Sequence, residues 1–328
     1  MDRLKILYAC SNHTNSKIQL ERFVDAIKNQ PHQLKIATYK KSSPNNINID
    51  WTLDCLYNMF KPEHISLDNE NFETYFHQVK SFNPDLIISD CEYFTSHIAM
   101  VLNTTLWQCS SSLLNFALPQ EQKYNLGLFK RFYYLFHKVP LNNQRIMNMI
   151  DNSNYNFVYS HLGDANSDLK LKEEFEWIRP YHTIGKPSVI CKHNIVAGMI
   201  QPNKNIIGLL KRYTDSIIFS EDCNEDYPNI ILKDMSNIDE YTCNLYNANL
   251  FVCSGQTSLL ADAYYNGKYS LITIDYNDTE CIINSLASEH FGLSDIIYDL
   301  DSDLNFSKSV NTRYDENIKF LHERIEDI

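Results

Sequence analysis

Residues 251–274 read FVCSGQTSLLADAYYNGKYSLITI. An apolar run, Phe251–Cys253, enters Ser254-Gly255-Gln256-Thr257-Ser258. A short helical stretch follows with Asp262 in its middle, then Asn266-Gly267 and a second apolar run. Strand, turn, helix and strand in this order form the repeating unit of a parallel α/β sheet. Gly255 allows a sharp turn directly after a buried strand. Ser254, Gln256, Thr257 and Ser258 place hydroxyls and backbone N–H groups at a helix N-terminus, which suits phosphate oxygens. Asp262 stands four residues after Ser258, one turn along the same face, where a carboxylate can accept from both hydroxyls of a ribose. Gly267 fits the position just past a helix end. The same residues also describe a capped core helix with one solvated acid.

The rhythm extends in both directions. KILYAC (5–10) reads as a strand and SKIQLERFVDAIKNQ (16–30) as an amphipathic helix with Ile18, Phe23, Val24 and Ile27 on one side. QLKIATY (33–39) is a second strand. NFETYFHQVKSFNP (71–84) is a helix stopped by Pro84, DLIISD (85–90) a buried strand, FTSHIAMVLN (94–103) a helix and TTLWQCS (104–110) extended. In the second half NIVAGMI (194–200), DSIIFSE (215–221) and PNIILKD (228–234) read as strands. NIIGLLKRY (205–213) and NIDEYTCNLYNA (237–248) read as helices. The expected fold is α/β, with two Rossmann-like doubly wound parallel-sheet domains facing a cleft. The expected boundaries are 1–160, 161–311 and a C-terminal helix at 312–328 that packs back on the first domain.

Composition narrows the function. The chain has 328 residues, 44% hydrophobic and 21% charged, with a formal net charge of −12. Residues 1–150 carry 15 Lys+Arg and 13 Asp+Glu, leaving 14 and 28 for the rest, so the acidity belongs to the second half. Without a basic block, nucleic acid is not an expected partner. Nine cysteines are scattered singly, with no CxxC pair and no zinc spacing, so no metal is expected and the thiols read as free in a reducing, cytoplasmic compartment. The start, MDRLKILYACSNHTNSK, carries no cleavage-site pattern, and no apolar run approaches the ~20 residues of a membrane span.

After SLITID comes YNDTECIINSLASEHFGLSDII, where Asp278, Glu280 and Asn284 follow a strand end, the last two at helical i, i+4 spacing. Glu280 also stands three residues after Asn277, the spacing of a capping box. Here the chain resembles the GT-B nucleotide-sugar glycosyltransferases, in particular the branch of the wall-lipid N-acetylglucosaminyltransferase and the UDP-glycosyltransferases. That family's second domain carries an S/T-G-G-x-S/T-x-x-E-A turn and helix, a G-x-P step and a D/E-Q-x-x-N-A segment. This chain has Gln256 for the second Gly, Asp262, one position further along, for the Glu, Tyr269 for the Pro and Glu280 for the Gln. SFNPDLIISDCEYFTSHIAMVLNTTLW is similar to a first-domain strand and helix, so the resemblance spans nearly the whole chain. It implies GT-B architecture and transfer of a hexose from a nucleotide-sugar, UDP-linked, to an acceptor hydroxyl. Inversion without a metal is expected. Ser254, Gly255, Gln256, Thr257 and Ser258 would surround the diphosphate and Asp262 the ribose, while Asp278, Glu280 and Asn284 would hold the sugar. The donor is a co-substrate, and no cofactor is implied.

The family's first loop is Gly-rich with a His. Here it is ACSNHTNSKIQ, without glycine, and His13 is its only His. By the resemblance His13 would take the acceptor's proton, a role that suits imidazole. Asp90 reads as its orienting carboxylate or as the cap of the next helix, and Glu92 is a second acid in that loop and an alternative candidate for the catalytic base. No Walker loop, HExxH or G-x-S-x-G competes, and His182, His193 and His290 stand isolated. YNLGLFKRFYYLFHKVP (124–140) mixes aromatic residues with Lys130, Arg131 and Lys138. It reads as core or as a peripheral membrane contact that docks a lipid-linked sugar; a glycan or small molecule is the other acceptor class. Two alternatives stay open on this scaffold: a nucleotide-sugar hydrolase or 2-epimerase, and a degenerate binding or scaffold protein.

Overall fold

A computed structural model describes residues 3–11, 14–39, 47–53, 69–125, 143–185, 193–199, 204–213, 215–220, 230–235, 237–274, 279–297 and 308–328. His13, Asp278, Asn277 and most of 124–140 therefore lie outside the described residues.

The chain divides into two compact units. Unit 1 comprises Met1–Tyr159, Lys170–Arg179 and Ile318–Ile328; unit 2 comprises Ser160–Leu169 and Pro180–Asn317. The division is not a single cut, because Glu176–Ile178 pairs with Tyr155–Tyr159 and so returns to the first sheet. The C-terminal helix Leu321–Glu326 also belongs to unit 1, where Gln30 Nε2 donates to Glu326 Oε1 at 2.7 Å.

Unit 1 is built on β1 (Lys5–Ala9), β2 (Gln33–Tyr39), β3 (Trp51–Leu53), β4 (Leu86–Ser89), β5 (Thr105–Ser110), β6 (Tyr155–Tyr159) and β7 (Glu176–Ile178), in the order β3-β2-β1-β4-β5-β6-β7. All its pairings are parallel. Unit 2 holds β8 (Ile195–Met199), β9 (Ser216–Ser220), β10 (Ile231–Asp234), β11 (Leu250–Cys253), β12 (Ser270–Ile272) and β13 (Ser294–Ile296), in the order β10-β9-β8-β11-β12-β13, again all parallel. Each sheet reverses its winding once: between β1 and β4 in unit 1, and between β8 and β11 in unit 2. Those reversals open crevices at the strands' carboxyl ends.

The central strands read as apolar runs because both sheet faces are covered. All four residues of β4 and all five of β8 are buried. In unit 2 Ile195, Ala197, Met199, Ile206, Leu210, Ile218, Val252 and Leu271 form one cluster. Helices Thr14–Ile27, Asn69–Phe82, Tyr93–Leu102, Ile238–Asn247 and Thr257–Tyr265 lie where their apolar periodicity places them. Strands β3, β7 and β13 are three residues each, too short to show a period, and the sequence reading contains none of them.

The expectation of free thiols is corrected at one position. Cys10, Cys91, Cys109, Cys253 and Cys281 are buried and outside any disulfide, but Cys243 is disulfide-bonded. Singly scattered cysteines conceal such a pairing, because a fold brings together thiols that are remote in sequence. Among the described residues no helix is long and apolar enough to cross a membrane.

Gly198, in the middle of β8, lets helix Thr257–Tyr265 settle on the sheet. A Cβ there would stand 3.0 Å from Phe251 Cζ and 3.1 Å from Leu259 Cδ2. Gly198→Val should therefore destabilise the protein by about 1–3 kcal/mol through overpacking, read as a lower midpoint in thermal unfolding.

Candidate functional site in unit 2, with a second cluster in unit 1

The turn after β11 sits at the winding reversal of unit 2. Gly255 has φ +94°, and a Cβ on it would stand 2.8 Å from the Cys281 carbonyl oxygen, so only glycine fits. This close approach brings helix Thr279–His290 against the first turn of helix Thr257–Tyr265. Asn284 Nδ2 donates to Thr257 Oγ1 at 2.6 Å, and Thr257 Oγ1 donates to Glu280 Oε1 at 3.4 Å. The structure thus gathers Thr257, Glu280 and Asn284 into one buried group. Thr257 and Ser258 are fully buried, and Glu280 and Asn284 nearly so.

Gln256 differs from these. It is the N-cap of the helix but makes no side-chain cap. Ser254 Oγ donates to Gln256 Oε1 at 2.6 Å, which holds the carboxamide in place. Its NH2 has no hydrogen-bond partner among the described residues, although the side chain is only 6% exposed. A fixed pair of N–H donors therefore stands at the positive end of a helix dipole, an arrangement that suits an oxyanion.

Asp262 is oriented differently from the expectation of a ligand-facing acid. It is 0% exposed. Its Oδ1 accepts from Thr183 N at 2.9 Å and Thr183 Oγ1 at 3.2 Å, and its Oδ2 accepts from the Tyr241 hydroxyl at 3.1 Å. Neither partner carries a sequence signal, since Thr183 is 79 residues away and Tyr241 is 21.

In unit 1, Ser11 follows β1 and Asp90 follows β4, at the carboxyl ends flanking the winding reversal. Ser11 Oγ donates to Asp90 Oδ2 at 3.1 Å, and Asp90 N donates to Ala9 O at 2.9 Å. Cys91 then takes φ +50°, a left-handed conformation unusual for a non-glycine residue. The helix cap falls on Glu92, not Asp90. Glu92 Oε1 accepts from Phe94 N at 2.9 Å and Oε2 from Thr95 N at 2.6 Å, and the Tyr39 hydroxyl also donates to Oε1. Glu92 is 1% exposed, so its carboxylate ties the end of β2 to helix Tyr93–Leu102. The sequence did not reveal Ser11, Tyr39 or Tyr8. Burial first, and the Asp90 charge second, raise the Tyr8 phenol well above its ordinary pKa.

His161 is the other unexpected group. It is buried, with Ser288 Oγ 3.4 Å from Nε2 and no partner at Nδ1 among the described residues. Its ring lies 5.5 Å from that of Tyr264. Burial lowers its pKa to about 4, only partly opposed by Asp164. Among the described residues, no group of three or more His, Cys, Asp and Glu is placed to hold a metal ion.

No protein-family model matches the chain, and no curated protein sequence matches it. Solved structures do. The glycosyltransferase SsfS6 of Streptomyces sp. SF2575 superposes with a TM-score of 0.57 at 10% identity, covering 90% of this chain and 88% of that one. The spinosyn rhamnosyltransferase SpnG, complexed with thymidine diphosphate, gives 0.56 at 8% identity over 89% and 86%. A structure described as a putative UDP-N-acetylglucosamine 2-epimerase from Listeria monocytogenes gives 0.51 at 10% identity over 84% and 80%. With its two parallel sheets, the chain has the fold of the GT-B glycosyltransferases.

Two outcomes follow from these contacts. Glu92→Ala should cost about 2 kcal/mol or more, because it removes a helix cap and strands the buried Tyr39 hydroxyl; urea or thermal unfolding checks this. His161 has a folded pKa below its unfolded value, so the unfolded chain binds its proton first as pH falls. Stability should therefore drop between pH of about 6.5 and about 4, and His161→Leu should flatten that part of the profile.

Proposed function

We propose that the protein is a glycosyltransferase that moves a hexose from a nucleoside-diphosphate sugar to an acceptor hydroxyl. The observation that carries this reading is the Gln256 carboxamide, fixed by Ser254 and without a partner at its NH2 among the described residues, at the N-terminus of helix Thr257–Tyr265. It stands at the winding reversal of a sheet whose fold is shared with glycosyltransferases. The shared fold supports the class; the site's own chemistry supports the ligand.

The diphosphate lies against the Gln256 amide and the first N–H groups of the helix. These donors stabilise the negative charge that develops on the leaving diphosphate as the glycosidic bond breaks, so no metal need be invoked. Glu280 and Asn284, anchored on Thr257, face the sugar with Asp278 beside them in sequence. The acceptor hydroxyl loses its proton as its oxygen bonds to the anomeric carbon, and the configuration inverts; by the sequence resemblance His13 takes that proton. Asp90 would be the carboxylate that stabilises the imidazolium. Glu92 holds the loop, since both its oxygens already accept hydrogen bonds. The donor is a uridine diphosphate sugar, as the sequence resemblance implies, or a thymidine diphosphate sugar, as the SpnG complex supports.

A second reading, sugar release or 2-epimerisation without an acceptor, draws on the epimerase likeness. Measuring free sugar liberated from the donor alone separates the two.

Nucleoside diphosphates should raise the unfolding temperature, by roughly 2.7 kcal/mol of added stability at 100 times Kd. Gln256→Ala should weaken binding by about tenfold or more, the worth of a hydrogen bond to a charged group. Gln256→Glu, which sets a carboxylate against the phosphate, should abolish binding. Unchanged affinity in both variants would sink the site.

A further inference from the structure

Asp262 is the only acid in helix Thr257–Tyr265, and the fold has already committed it. Three donors from its own unit reach its two oxygens: Thr183 N and Oγ1, and the Tyr241 hydroxyl. Asn266, one turn further on, repeats the pattern. Its Oδ1 accepts from Gly185 N at 2.9 Å, and its Nδ2 donates to Thr183 O at 2.6 Å. Residues 183–185 are thereby laced along the helix. Gly185 is wedged so closely against helix Ile238–Asn247 that a Cβ on it would stand 2.5 Å from Tyr246 Cβ. For a sugar hydroxyl to reach the Asp262 carboxylate, it would have to displace the donors of the half-buried Thr183 or break the buried bond from the Tyr241 hydroxyl. The groups of this helix that remain addressable, the Gln256 amide and the first backbone N–H groups, are phosphate donors. They treat the phosphates of every nucleotide alike.

Resting on the donor-site reading above, we propose that Asp262 is a positioning residue that fastens the 183–185 segment to the helix, and that the donor site takes ribonucleoside and 2′-deoxyribonucleoside diphosphates alike. The 2′-hydroxyl is not a determinant of donor choice. Donors built on either pentose then belong to the substrate class, and discrimination falls on the base and the transferred sugar.

The experiment uses the full chain and isothermal titration with matched pairs: UDP and dUDP, CDP and dCDP, GDP and dGDP, ADP and dADP. For whichever base binds, the two dissociation constants should agree within threefold. Thr183→Val, which keeps the backbone N–H bond to Asp262, and Asp262→Asn should both lower the unfolding midpoint and leave that ratio unchanged. A ribonucleotide preference of tenfold or more overturns the proposal in either form. If Asp262→Asn erases the preference, Asp262 reads the ribose; if the preference persists, another group does. Should Asp262→Asn fail to fold, the wild-type ratio and Thr183→Val decide. Absence of binding in all four pairs and with thymidine diphosphate overturns the donor-site reading itself, and this inference with it.

Discussion

A buried carboxylate organises unit 2. Asp262 sits in the interior, and a polar group there is tolerable only because hydrogen bonds from Thr183 and Tyr241 replace the water it has lost. The cost of leaving any of them unmade fixes the position of 183–185, of Tyr241 and of the helix itself. Asn266 secures the following turn, and Tyr265 donates to the buried Asp164. The N-terminus of helix Thr257–Tyr265 is then held at one height above the sheet, which is what a pre-organised anion site requires.

Polar burial on the other side of that helix does related work. Thr257, Glu280 and Asn284 are linked by hydrogen bonds where two helices meet. The contact is close because Gly255 has no side chain. Most of the polar residues in the turn are thus consumed by the fold. Gln256 is the exception, because Ser254 satisfies only its carbonyl end. In unit 1 the division is similar. Glu92 caps the helix and anchors Tyr39, while Asp90, one strand-end away from Ser11, is aimed differently by the left-handed Cys91 between them.

Identity of 8–10% with structures of the same fold follows from what a doubly wound sheet demands. It needs apolar runs of four to seven residues, helices with one apolar face, and glycine at a few close approaches. Many sequences meet those conditions, so architecture persists where side chains do not. The same latitude lets a site be rebuilt from different residues on an unchanged frame, as Gln256 stands where the resembled motif has glycine.

The sequence by itself determined the alternation of strand and helix, the two sheets and the strand–turn–helix that carries the candidate site. Each depends on local periodicity and on glycine at a turn, and both are written in neighbouring residues. It did not determine β3, β7 or β13, which are too short to show a period and exist because an adjacent strand edge was available to pair with. Nor did it determine the orientation of its acids. Asp262, Asp90 and Glu92 look alike in sequence, as single carboxylates near a helix or a strand end. All three are buried, and only the tertiary structure decided what each one binds, because the donors that hold them, Thr183, Tyr241, Ser11 and Tyr39, come from distant segments. A carboxylate follows the nearest unsatisfied donors, and it is the folded chain that sets which donors are near.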